Sequence, residues 1–172
     1  MQQIDHKTGA DSCTGRADYD PPMARALGPV LLLAAALAGC GRGGAAELPA
    51  ACRFPEGAKT VRAALARAPG EVRVDGTPLS KCLVREADAS DVQSVGAAYV
   101  EAAAGLAARA RAKPNERAAV QLGYLVGAVR RGAAKTAGIH YELKRRVEQE
   151  LNGVDTHGAE YLRGERAGRA SG

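Results

Sequence analysis

Apolar positions recur at helical spacing along much of this chain. The first series is Val61, Ala64, Leu65 and Ala68, at i, i+3, i+4 and i+7, which predicts a short helix opening near Ala58 and stopped by Pro69-Gly70. Glu71-Val72-Arg73-Val74-Asp75 alternates instead, as a short strand running into a turn at Asp75-Gly76, with no second convincing strand after it. Ser80 is placed to cap a turn of helix carrying Cys82, Leu83 and Val84.

The longest series is Val92, Val95, Tyr99, Val100, Ala103, Leu106, Ala107 and Ala110. Ser90 and Gln93 fit a capping box ahead of it, and the residue before Pro114 avoids helical angles, so a helix is predicted over 90–112. Asn115 is placed to cap a second helix over 115–131, with Glu116 in its first turn, Leu122, Leu125, Val126 and Val129 as its core face, and Arg130 and Arg131 near its negative end. Ile139, Leu143, Val147 and Leu151 form a strict i+4 stripe for a third helix over 136–152, ended by Asn152-Gly153. Its other face carries Glu142, Lys144, Arg145, Arg146, Glu148 and Glu150, which suit i,i+4 pairing in solvent. Asp155 is placed to cap a last short helix bearing Tyr161 and Leu162. The expected fold is mainly α: a small helical bundle of three principal helices over residues 58–165, with short flanking helices, at most one short strand, and a frayed tail at 166–172.

One apolar stretch does not fit a globular helix. Leu27 to Ala38 is uncharged and about a dozen residues long, too short for a permanent span and without the polar face of a surface helix, but of the length of a signal-peptide core. Arg25 precedes it and Leu37-Ala38-Gly39-Cys40 closes it. This order resembles the lipobox region of bacterial lipoprotein precursors, over Met23 to Cys40. The resemblance implies that residues 23–39 are a signal peptide removed by a membrane peptidase. It also implies that the Cys40 thiol carries a diacylglyceryl group, and that the mature chain is held on the extracytoplasmic side of the membrane. Met1 to Pro22 departs from the short basic leader expected, with Asp5, Asp11, Asp18 and Asp20 against Lys7 and Arg16, so residues 1–22 are expected to be an extension ahead of a true start at Met23, or a disordered lead.

Composition then bears on what lies downstream. Removing residues 1–39 leaves 133 residues, the size of one domain, with residues 40–57 reading as the lipidated cysteine and a flexible tether around Gly41-Arg42-Gly43-Gly44. Setting aside three basic and four acidic leader residues leaves 21 Lys and Arg against 15 Asp and Glu, a net charge near +6. The excess is mild and scattered. It fits solvated helix faces, and it also suits an anionic membrane surface, an envelope protein or an acidic wall polymer as partner. With no Trp and a single Phe there is no aromatic platform for nucleic acid. Large aliphatics are scarce and Ala and Gly abundant, so the core must come from close helix approach and a staple is needed. With Cys13 in the leader and Cys40 lipidated, Cys52 and Cys82 remain, and outside the cytoplasm they are expected to form a disulfide.

Gly123 and Gly127 inside the second helix each cost roughly 1 kcal/mol relative to alanine. With Ala119 they make a small-xxx-small row, while Gln121, Arg130 and Arg131 exclude a membrane span. Close packing inside the domain is one use for the row; room for a ligand or a second copy is the other. Tyr99, Tyr124 and Tyr141 fall near the apolar faces of three successive helices, either as rims of a shared groove or as core-edge residues with wet hydroxyls. His140 and His157, with Glu142, Asp155 and Glu160, are the candidates for a metal site where the last helices meet, but no HExxH or comparable spacing supports one. The mature serines lack a GxSxG elbow, and no spacing rule brings Glu101, Glu116 and Glu142 together. The sequence therefore predicts a non-enzymatic binding or scaffolding module without cofactor. An envelope hydrolase or metal-dependent enzyme using Glu or His residues between helices is the alternative.

Overall fold

The computed structural model describes residues 46–114, 116–134 and 136–172, all within the unit Gly41–Gly172. The expected leader and lipid site at residues 1–40, the Gly-rich start of the tether and the Asn115 cap lie outside the described residues. None of the described helices is long and apolar enough to cross a membrane.

The described part is mainly helical. A 3-10 turn (Ala50–Arg53) leads into α1 (Ala58–Leu65), which buries Ala58, Val61 and Leu65. Where one strand was expected, the chain forms a hairpin: β1 (Arg73–Val74) pairs antiparallel with β2 (Thr77–Pro78), Arg73 opposite Pro78 and Val74 opposite Thr77. Asp75 and Gly76, with φ of 45° and 79°, supply the two positive-φ positions that a tight two-residue hairpin turn requires. The second strand leaves no alternating pattern in the sequence because it is two residues long and ends in a proline. A second 3-10 turn (Leu79–Cys82) follows, and Ser80 does not cap it: Pro78 precedes the turn and the Ser80 hydroxyl donates to the Gly172 carbonyl.

α2 (Ala89–Ala112), α3 (Arg117–Gly132) and α4 (Ile139–Gln149) are the three principal helices, with shifted ends. α2 begins one residue before Ser90, and its flanking Asp88 makes no side-chain cap; the expected capping box is not formed, since Ser90 already lies in the first turn. α4 starts after Gly138, whose φ of 63° turns the chain into it. α3 is central. Ala118 to Val129 are buried except Gln121, so this helix is covered nearly all round, with more than one amphipathic stripe. The packed interior gathers Leu65, Leu79, Tyr99, Leu106, Leu122, Tyr124 and Leu125, each fully buried.

Two expectations at the margins are overturned. The chain at 46–57 is not a tether, because Leu48, Cys52 and Phe54 are buried and the Phe54 ring lies 5.7 Å from that of Tyr99. Residues 166–172 are not a frayed tail: α5 (Ala159–Ser171) is a fourth long helix, and its Gly164 and Gly168 are buried. Cys52 and Cys82 are joined in a disulfide that spans 30 residues, fastening the segment ahead of α1 to the turn ahead of α2.

Candidate binding groove

The small-residue row of α3 lies against α5. A Cβ on Gly123 would fall 2.1 Å from the Tyr161 carbonyl oxygen, and one on Gly127 would fall 2.3 Å from that of Glu165. From the other side, Cβ atoms on Gly164 and Gly168 would sit 2.0 Å and 2.1 Å from the carbonyl oxygens of Val120 and Tyr124. The two backbones are in direct contact, and only hydrogen fits between them. Ala119, at the head of the row, is buried as well. The space therefore holds no ligand. Sequence reasoning missed the partner because α5 has few large apolar residues; the signal was Gly164, Gly168 and Gly172, a second row at the same four-residue spacing.

The three tyrosines do not share a groove. Tyr99 is fully buried and its hydroxyl donates to the Leu79 carbonyl at 2.7 Å; burial pushes its ionisation well up. Tyr124 is fully buried too, accepting from the Val72 N–H at 3.2 Å and lying 3.1 Å from the Ser171 hydroxyl. Tyr141 is 54% exposed, with the Lys144 ammonium 4.8 Å over its ring. The first two are internal ties between helices and the hairpin region, which an apolar face alone cannot distinguish from rim positions.

The two histidines also stay apart in role. His140 is buried, and its Nε2 donates to the Val84 carbonyl at 3.0 Å, docking the start of α4 on the segment that follows the disulfide. His157 is exposed, and its backbone N–H donates to Asp155 Oδ1 at 3.1 Å in a turn ahead of α5; Asp155 does not cap the helix as expected, because Gly158 takes the N-cap position with no side-chain cap. Among the described residues no group of three or more His, Cys, Asp or Glu is placed to hold a metal ion.

A solvent-open groove of about 660 Å³ lies between α2 and α4. Its apolar wall comes from Val92, Gly96 and Val100 of α2 and from Ile139 and Leu143 of α4. Gly96 lies close under Leu143: a Cβ there would fall 3.2 Å from Leu143 Cδ1 and push that side chain by a few tenths of an ångström. Gln93, Glu101, Glu142 and Arg146 line the rest. Arg145 grips Glu142 with two bonds of 3.0 Å, and Arg146 Nε adds a third at 3.0 Å. The Arg145 hydrogen bonds, then those of Arg146, hold the Glu142 carboxyl down at about 2. A carboxylate held in this way is ionised at neutral pH. It pairs with Arg146 at the rim. The arrangement suits binding of an apolar surface flanked by polar groups.

No protein-family model matches the chain, and neither the curated proteins nor the solved structures give a match.

Proposed function

We propose that this chain is a bacterial envelope lipoprotein whose domain is a non-enzymatic binding or scaffolding module. Its leader is cut ahead of Cys40, and a lipid on that thiol holds the domain on the extracytoplasmic side of the membrane. There it offers the α2–α4 groove to an apolar ligand or to an apolar segment of another envelope protein. The observation that carries this reading is the order Arg25, the uncharged run from Leu27 to Ala38, and the box Leu37-Ala38-Gly39-Cys40. The Cys52–Cys82 disulfide supports the compartment, because such bonds persist where the surroundings are oxidising. The groove supports binding because its wall is apolar and its rim carboxylate is locked in an ion pair.

Cell fractionation of Cys40→Ala tests the placement. The wild-type chain should sediment with membranes and the variant should leave them. A variant that stays in the membrane pellet would overturn the lipid anchor.

A further inference from the structure

A second concavity, of about 350 Å³, lies where the 3-10 turn at Leu79–Cys82 meets the end of α3. Lys81, Arg85 and Arg131 line it, with Glu86 as the one acidic side chain of its wall. The carbonyls that end α5 are already satisfied from inside the fold: Arg131 Nη1 donates to those of Arg169 and Ala170, and Ser80 donates to that of Gly172. Arg131 is thereby fixed at the rim. Lys81 is exposed and takes no part in those bonds.

The position of this pocket in the chain gives it a ligand. The Ala46 N–H donates to the Glu86 carbonyl at 2.9 Å, so the chain from Cys40 joins the fold at a residue that itself lines the pocket. Five residues separate Cys40 from Ala46. Even fully extended, that length keeps Ala46 within roughly 20 Å of Cys40. A lipid on Cys40 would therefore keep this face within reach of the headgroups, and attraction to anionic lipid acts once it comes within a Debye length of roughly 8 Å.

We propose that the Lys81–Arg85–Arg131 pocket binds the phosphate of an anionic phospholipid headgroup and so sets how the anchored domain faces the membrane. This rests on the lipid-anchor reading for its geometry. Guanidinium and ammonium groups recognise phosphate by charge and by hydrogen bonds, and a free phosphate offers the same chemistry. The two sources are separable.

The full chain, purified with its anchor, is reconstituted on vesicles of phosphatidylcholine alone or with one-third phosphatidylglycerol, and backbone hydrogen exchange is followed over residues 79–86. Phosphatidylglycerol should slow exchange there, high salt should reverse the effect, and Lys81→Gln should weaken the salt-sensitive interaction roughly fivefold. Lys113→Gln, at the far end of α2, should change nothing. Equal exchange on both vesicle types would overturn the proposal. Protection by inorganic phosphate but not by phosphatidylglycerol would assign a free anion and overturn the headgroup. Flotation with pure phosphatidylcholine vesicles reports the anchor separately. A chain that fails to float there would sink the anchor, and with it the geometry on which the pocket rests; a chain that floats there but gains no protection from phosphatidylglycerol overturns the pocket alone.

Discussion

Single glycines in this fold differ by what surrounds them, and the difference is measurable. Gly123 and Gly168 face backbone at distances no Cβ tolerates, whereas a Cβ on Gly105 of α2 would meet only the far end of Arg62 at 3.8 Å. Gly123→Ala and Gly168→Ala should each destabilise the domain by about 3 kcal/mol, because a helix must be displaced to admit the methyl. Gly105→Ala should be neutral or stabilising by up to about 1 kcal/mol, since it relieves only the cost of glycine in a helix. Urea unfolding of the three variants decides the matter, and equal effects would mean that α3 and α5 are not in backbone contact. The row at Ala119, Gly123 and Gly127 was legible in the sequence because glycine inside a good helix demands a reason. The burial of Tyr99 and Tyr124 was not, because a tyrosine near an apolar stripe can point its hydroxyl inward or outward and only the Leu79 and Val72 backbone groups decide which.

Between elements, Arg130 is the polar tie. From α3 it donates to Glu148 of α4 at 2.7 Å and to Glu165 of α5, and Glu165 also takes Arg169 at 3.0 Å. Burial pushes the Glu165 carboxyl up, but hydrogen bonds from Arg169 and Arg130 outweigh it, and the group ionises below its usual value of 4.5. A carboxyl that is easier to ionise in the folded chain stabilises the fold above its unfolded value, and that contribution is lost as pH falls through the lower folded value. Melting temperature should therefore drop as pH falls below about 4.5, and Glu165→Gln should flatten that drop while lowering stability near neutrality. An unchanged acid slope in the variant would move the sensitivity to other carboxylates. The helices themselves were legible where large apolar residues repeat, as in α2, α3 and α4. Their ends were not, since Asp88, Glu116 and Gly138 flank them without side-chain caps. α5 went unread beyond Leu162 because it packs through hydrogens on glycine, which leave no hydrophobic period to follow.

Across the domain, the cross-link supports a core in which alanine and valine outnumber leucine and the aromatics. Closing a 30-residue separation should stabilise the fold by about 3–4 kcal/mol on the chain-entropy account. Reduction, or the Cys52→Ala/Cys82→Ala double variant, should lower the denaturant midpoint accordingly, and an unchanged midpoint would show the bond to be idle. The disulfide was legible by counting cysteines once Cys13 and Cys40 were set aside on the expectation of a leader and a lipid site. The groove between α2 and α4 was not, because it depends on which way two amphipathic helices lean and on Gly96 admitting Leu143.

The same cross-link bears on mechanics. A pull arriving along the chain ahead of Ala46 meets the hydrogen bond to Glu86, then Leu48, and then Cys52, where the covalent bridge passes tension directly to Cys82. α1 and the hairpin lie between the two cysteines and so stand outside the line of force; if the domain is held by a lipid on Cys40 as proposed, the load passes through sulfur and leaves that loop intact.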